Sequence, residues 1–340
     1  MRLLILGTGN MAGTHAEAFS AIDGVDVVAC ADIDLARARD FADRFGIPEA
    51  YGSLDEALAG SRADAIANTT PDAAHYGTTM KALAAGLHVF CEKPLATNAA
   101  DADRMVATAE AAGRITGVNL TYRNVAALQA ARRIVAEGRI GAARHFEAAY
   151  LQSWLTQGAW GDWASEDVWL WRLSSAHGSL GALGDIGIHI FDFATYAAGS
   201  DIDDMQATLT TFPKAPGDRI GDYVLDANDS FTMTARLENG ATGVIHATRF
   251  APGHLNDLSL RLFGTRGGIE VTNAGPLGTL RICEGDDLES ATWREVPLDP
   301  VETNYQRFAE AVRTGVPMKP DFATAARLQK VIDRAAAAGS

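Results

Sequence analysis

Cysteine is scarce in this chain. Its 340 residues include three, Cys30, Cys91 and Cys283. The number is odd, the spacing wide, and no C-x-x-C pair occurs, so the pattern signals neither a disulfide framework nor a zinc site. All three read as small buried hydrophobes. Positive charge is in deficit: 29 Lys and Arg face 43 Asp and Glu, for a net charge of −14. Such a chain has no general electrostatic reason to bind nucleic acid or an anionic membrane. Long apolar runs are missing as well. No uncharged apolar stretch reaches the roughly 18 residues that a membrane-spanning helix needs. The first short run, Leu3 to Leu6, leads straight into glycines and a helical pattern, which is a buried strand rather than a signal peptide; a cytoplasmic protein is expected. His15, His88, His145, His177, His246 and His254 show no ligand-like spacing, and no metal is expected.

What is present is ordinary globular composition, 47% hydrophobic and 21% charged, in a chain long enough for two domains at roughly 100–200 residues each. The first third alternates short apolar runs with helical patterns. The runs are Arg2–Leu6, Val25–Ala31, Ala63–Ala67, Leu87–Cys91 and Ile115–Asn119. Helical spacing fills Ala12–Ile22, a stretch capped by Asp34 and stopped by Gly46 and Pro48, Ala73–Ala85 and Asn98–Ala112. Nearly all-apolar strands between helices imply a parallel sheet covered on both faces. After a helix over Val125–Glu137 the chain changes character. Longer runs rich in Thr, Val and Phe follow at His145–Gln152, Met205–Phe212, Ser230–Leu237, Thr242–Phe250 and Ser259–Phe263. Glu238-Asn239-Gly240 between two of them predicts a hairpin with a type I′ turn. A mostly antiparallel sheet is expected, closed by helices over Asn304–Arg313 and Ala323–Ala337. The fold class is therefore α/β: a domain with a parallel sheet over residues 1–122, then an α+β domain with a large, mostly antiparallel sheet over 123–340.

Gly7-Thr8-Gly9-Asn10-Met11-Ala12 follows the first strand and opens the first helix. This is G-x-G-x-x-A: a tight turn at Gly7, close backbone approach to a pyrophosphate at Gly9, and close helix–strand packing at Ala12. Its place inside a β-α-β pattern gives the motif its force. Asp32 ends the second strand, where a carboxylate accepts hydrogen bonds from the adenine ribose hydroxyls and repels a 2′-phosphate. NAD is expected over NADP, although Arg37 and Arg39 follow closely.

Two further motifs stand out. Cys91-Glu92-Lys93-Pro94 follows the run ending in Phe90, and Gly184-Asp185-Ile186-Gly187-Ile188-His189 opens a helix in the second half. With the glycine turn, they make the chain resemble the Gfo/Idh/MocA oxidoreductases, a family that includes glucose–fructose oxidoreductase and inositol 2-dehydrogenase. The resemblance extends over about residues 1–335 and implies an N-terminal Rossmann dinucleotide-binding domain over 1–122 and a C-terminal α+β domain with a large, mostly antiparallel open sheet over 123–340. Thr69-Thr70-Pro71 with His75 resembles the segment that passes over the cofactor, and Asn119 with Tyr122-Arg123 the domain crossover. Tyr150-Leu151-Gln152-Ser153-Trp154 and Trp171-Arg172 resemble a sugar- and cyclitol-oxidising branch, with Ser153 where that branch often has Asp and Ile188 where a small residue is usual. The resemblance implies a homodimer or homotetramer assembled through the open face of the second sheet.

Oxidation of a secondary alcohol needs a hydride acceptor and a base for the hydroxyl proton. Lys93 follows a strand end, where α/β sheets bind ligands, and Pro94 restricts its backbone. Asp185 and His189 are four apart, about one helical turn, so the carboxylate can orient the imidazole. Asp192 lies three residues further and faces His189 from the other side on this reading. The expected catalytic residues are Lys93, Asp185 and His189, with Lys93 polarising the substrate oxygen and His189 as acid/base; the two roles are interchangeable at this stage. The expected cofactor contacts are Gly7, Thr8, Gly9, Asn10, Met11, Asp32, Thr70, Pro71, His75, Glu92, Lys93 and Asn119. Five of six tryptophans fall in one segment: Trp154, Trp160, Trp163, Trp169 and Trp171. These rings either cover the C–H face of a sugar or fill a core. Taking the first reading for Trp154, the expected substrate residues are Lys93, Tyr122, Gln152, Trp154, Arg172, Asp185 and His189, with Asp162 and Asp167 as further polar candidates. The function expected is NAD-dependent oxidation of a sugar, sugar derivative or cyclitol hydroxyl. The alternatives are an NADP-linked carbonyl reductase and a ligand-sensing regulator without activity.

Overall fold

A computed structural model describes residues 1–338, apart from the side chain of Asp167. The chain divides into two compact units, Met1–Thr121 with Glu302–Lys330, and Tyr122–Val301 with Val331 onward.

In the first unit, strands β1 (Arg2–Leu6), β2 (Asp26–Ala31), β3 (Glu49–Tyr51), β4 (Ala65–Asn68), β5 (His88–Cys91) and β6 (Thr116–Val118) form one sheet in the order β3-β2-β1-β4-β5-β6. Every neighbouring pair is parallel. The sheet is crossed by helices α1 (Asn10–Ser20), α2 (Leu35–Phe45), α3 (Leu54–Gly60), α4 (His75–Ala84) and α5 (Ala99–Ala111). Strand order reverses between β1 and β4, which places a ligand crevice at the carboxyl ends of those strands. Helix starts follow side-chain chemistry. Asp34 accepts from the N–H groups of Ala36 and Arg37 at the head of α2, and Asn98 accepts from Asp101 at the head of α5. Gly46 closes α2 in the left-handed region at φ 67°. β3 and α3, the latter capped by Ser53, have no counterpart in the sequence reading because each is too short to show a period.

The second unit begins with α6 (Ala126–Ala136) and β7 (Ala143–Leu151). A loop holding the short helix α7 (Asp167–Leu170) leads to α8 (Ile188–Ala198). Then come β8 (Ile202–Thr210), the small β9–β10 hairpin (Arg219–Ile220, Tyr223–Val224), β11 (Ser230–Leu237), β12 (Thr242–Thr248), β13 (Asp257–Gly264), β14 (Gly267–Thr272), β15 (Thr279–Glu284), α9 (Asp287–Ser290) and β16 (Arg294–Glu295). The large sheet runs β16-β15-β14-β13-β7-β12-β11-β8. β7 and β12 pair in parallel and the other neighbours are antiparallel. α8 packs on β7, β12 and β13, and α6 on β14, β15 and α8, so both helices cover one face. In β11 the inward Phe231, Met233, Ala235 and Leu237 alternate with Thr232, Thr234 and Arg236. The β11–β12 hairpin forms as expected, but with different turn chemistry. Only Gly240 takes a positive φ, 85°, while Asn239 does not, so the loop is not type I′.

The chain then returns. α10 (Asn304–Thr314), capped reciprocally by Thr303 and Gln306, belongs to the first unit, whereas the sequence reading assigns residues 302–330 to the second. Tyr305 and Phe308 complete the core around Phe19 and Phe90, and the N–H of Val118 donates to the carbonyl of Pro320 over 3.0 Å. The last helix, α11, spans Phe322–Ala338.

Candidate active site: one cluster in each unit

β1 ends at Leu6, and Gly7 turns the chain at φ 84°. Its amide donates to Ala31 O on β2. A Cβ at Gly7 would meet Thr69 O at 2.8 Å, so no other residue fits without moving β4's loop. Nothing lies within 4 Å of the Cβ position at Gly9, and no side chain caps α1. The first two amides of α1, those of Asn10 and Met11, are therefore open to a phosphate, while the Ala12 amide donates to Gly9 O. Asp32 is buried at the end of β2. One carboxylate oxygen accepts from the amide and hydroxyl of Thr8 (2.9 and 2.8 Å), the other from the amide of Asp34 (3.0 Å). Burial opposes the charge, but these donors and Arg37 outweigh it and hold the carboxyl below its usual range.

At the ends of β4, β5 and β6 the motif residues form a second layer. Asn68 accepts from the amide and hydroxyl of Thr70, which fixes the Thr69-Thr70-Pro71 loop. His75 is buried at the head of α4. Glu92 is buried too, accepting from the amide of Asn119 and meeting His15 Nε2, each at 2.7 Å. Despite burial, His15, Asn119 and the nearby Lys93 charge bring its carboxyl down to about 2, so it is ionised. Its other oxygen accepts from the Lys93 amide over 3.2 Å. The Lys93–Pro94 peptide is cis.

In the second unit the head of α8 carries the chemistry. A π-helical turn, Leu183–Gly187, precedes it, so Asp185 and His189 sit on a wider turn than the regular helix expected. Asp185 pairs with Arg249 Nη2 at 3.1 Å. Arg249 is fully buried, stacks on Trp154 at 4.9 Å and donates to Arg172 O. Burial lowers its pKa, and Asp185 and Asp229 oppose that shift. The Tyr122 ring stands edge-on to His189 with centroids 5.1 Å apart. Tyr122 Oη meets Tyr150 Oη at 2.7 Å, and Tyr150 donates to Asn256 Oδ1 at 2.8 Å. Gln152 donates to the same Asn256 oxygen and accepts from the Trp154 indole. His189 thus heads a continuous run of hydroxyl and amide groups.

Comparisons with known proteins bear on the family and the fold. Residues 1–120 match the model of an oxidoreductase family with an NAD-binding Rossmann fold, and residues 128–270 match the GFO/IDH/MocA C-terminal domain. The chain belongs to the Gfo/Idh/MocA oxidoreductase family. Among its relatives, 1,5-anhydro-D-fructose reductase of Ensifer adhaerens is 31% identical, over 85% of this chain and 81% of its own. Levoglucosan dehydrogenase of Pseudarthrobacter phenanthrenivorans is 28% identical, over 78% of this chain and 72% of its own. A crystal structure of an oxidoreductase domain protein from Kribbella flavida superposes with a TM-score of 0.87 at 27% identity, covering 99% of this chain and 96% of that one.

Within this Gfo/Idh/MocA chain the first unit is an NAD-binding Rossmann domain. Its residues fit the cofactor: the open Gly9 cradle, the uncapped α1 and an ionised Asp32 accommodate a pyrophosphate and a ribose diol. Several expected contacts take other work. The Thr8 hydroxyl is spent on Asp32, His75 is enclosed, and Glu92 and Asn119 hold each other beneath the Lys93 turn. Trp154 is not an open pocket wall. It is 2% exposed, in a cluster with Leu155, Leu170, Leu173 and Leu225, with Trp160, Trp163 and Trp169 packed around it. Arg172 lies over Trp171 and donates to Val168 O. Asp192 does not serve His189 either, because Arg123 takes both its oxygens at 2.6 and 2.7 Å. Asp162 bonds within its own loop to Ser165, and the Asp167 side chain lies outside the described residues. The sequence reading misses Arg249, Asn256 and His15, single polar residues outside any spacing pattern. Among the described residues no group of three His, Cys, Asp or Glu side chains could hold a metal ion, and no helix is long and apolar enough to cross a membrane.

Proposed function

We propose that the protein is an NAD-dependent dehydrogenase that oxidises a secondary or anomeric hydroxyl of a sugar, anhydrosugar or cyclitol. The observation that carries this is the head of α8: a nearly buried imidazole beside a run of fixed hydroxyl and amide groups, with a carboxylate held by a buried guanidinium. Such a surface suits a ligand with several hydroxyls and a single reacting one. NAD, when bound, accepts the hydride that leaves the substrate carbon. His189 takes the hydroxyl proton at a ring nitrogen. Asp185 favours the resulting imidazolium, and Arg249 keeps that carboxylate in place. The Lys93 ammonium, in the turn beside an ionised Glu92, polarises the substrate oxygen. This division of labour adopts, as part of the proposal, one of the two role assignments that the sequence leaves open.

The relatives support the substrate class, since two of them act on anhydrosugars by name. A reductive direction is the second reading, favoured by the relative called a reductase. Asp32 favours NAD in either direction. A cytoplasmic homo-oligomer completes the proposal; three free buried cysteines suit a reducing compartment. The test is reduction of NAD⁺ and NADP⁺ by a panel of sugars, anhydrosugars and cyclitols. Strong NADH formation with one class supports the proposal. Tight NAD⁺ binding without turnover, in both directions and across the panel, overturns it in favour of the sensor.

A further inference from the structure

Both ring nitrogens of His75 face main-chain carbonyl oxygens. Nδ1 lies 2.6 Å from Pro94 O and Nε2 lies 2.8 Å from Thr70 O. The ring has no exposed surface. A carbonyl oxygen only accepts hydrogen bonds. A neutral imidazole has one N–H and one bare lone pair, so either tautomer would press a lone pair against a carbonyl lone pair at hydrogen-bond distance. Buried polar groups left in that state are strongly disfavoured. The cation carries an N–H on each side and satisfies both oxygens.

We propose that His75 is a positioning residue held as an imidazolium, a charged brace tying the Thr69–Pro71 loop to the Lys93–Pro94 turn. The loop follows β4 and the turn follows β5, so one ring couples the end of β4, which borders the crevice, to the end of the neighbouring β5. The groups facing the ring come from each side of it. Cys91 stands at the end of β5, Asp72 in the turn before α4, and Pro94 O after the charged pair Glu92 and Lys93. Burial opposes the charge, but Cys91, Asp72 and the Pro94 carbonyl outweigh it and lift the ring to about 10. The brace deepens the dehydrogenase reading, because it fixes the loop expected over the cofactor and the turn that carries Lys93.

The direct test is long-range ¹H–¹⁵N spectroscopy of the ¹⁵N-histidine-labelled protein at pH 8, without substrate or cofactor. The His75 signals are assigned through its backbone resonances and by their loss in His75→Gln. Two protonated ring nitrogens are expected at a pH where an ordinary histidine is neutral. One protonated and one bare nitrogen at pH 8 would overturn the proposal. A second readout uses linkage. A pKa raised in the folded state adds stability that is complete below the unfolded value of 6.5 and lost as pH rises through about 10. The stability advantage of wild type over His75→Gln should therefore shrink from pH 6.5 to 10. A pH-independent difference would mean a neutral structural histidine and would also overturn it. NADH binding to the variant should weaken roughly 10-fold or more, as expected for losing a charge-assisted hydrogen bond. An inactive protein that keeps a doubly protonated His75 supports the brace while refuting the dehydrogenase; an active enzyme with a neutral His75 does the reverse.

Discussion

The two clusters, one in each unit, are built on different principles. Around the glycine turn the backbone itself forms the binding surface. Gly7 is fixed by what a Cβ would strike, Gly9 by the space it leaves, and Asp32 by the amide and hydroxyl of Thr8 in the glycine turn and by the amide of Asp34. At the head of α8 side chains hold side chains: Arg249 holds Asp185, Tyr150 holds Tyr122, and Asn256 holds both Tyr150 and Gln152. A backbone cradle recognises what all nicotinamide dinucleotides share and tolerates change in most of its side chains. A side-chain network depends on each member, so it can be retuned for a new substrate and is easily broken.

The largest effects should come where chemistry depends on one group. His189→Ala and Lys93→Ala, made separately, should each lower kcat roughly 10²–10⁴-fold, the range for a proton-transfer group. NADH binding to His189→Ala should stay within a few-fold of wild type by calorimetry, because the backbone cradle is untouched. Near wild-type turnover in either variant would remove that residue from its role.

Trp154→Ala tests the network from behind. The ring is a buried member of an apolar cluster and carries the Arg249 guanidinium on its face. Its loss should destabilise the fold by about 3–5 kcal/mol in urea unfolding, with little change in substrate KM for the protein that remains folded. A raised KM with unchanged stability would restore the tryptophan as a pocket wall. Arg249→Met should cost about 3 kcal/mol of stability, as for breaking a buried ion pair, and should lower kcat without raising the KM for NAD⁺. The smallest effect belongs to the cradle. Asp32→Ala should raise the KM for NAD⁺ about tenfold, worth one or two hydrogen bonds. NADP⁺ should gain in turn, because the fixed anion that repels a 2′-phosphate is gone. Unchanged discrimination would locate cofactor choice elsewhere, with Arg37 or Arg39 as the next candidates.

The same contrast explains what could be read from the sequence. A backbone cradle needs glycines at set intervals, so Gly7, Gly9 and Ala12 are visible, and Asp32 follows from strand spacing. Helix starts are visible at Asp34 and Asn98, where a capping side chain accepts the first amides. The Asp185/His189 pair is visible by its spacing, but not the π turn that carries it. Arg249 and Asn256 reach their partners, Asp185 and Tyr150, only because the fold brings distant segments together. No interval marks such residues, and they escape local reading. The tryptophan segment is ambiguous for a related reason, since rings for a core and rings for a sugar have the same composition. The segment 302–330 shows its helix through its apolar period, but nothing local says which core the helix completes.

The central claim is that the chain moves a hydride from a sugar carbon to nicotinamide. It is tested most directly with a substrate deuterated at the carbon that is oxidised. The account predicts deuterium at C4 of the recovered reduced cofactor and a primary isotope effect on single-turnover NADH formation. Reduced cofactor free of deuterium, or no reduction by any polyhydroxyl compound despite bound NAD⁺, would contradict it.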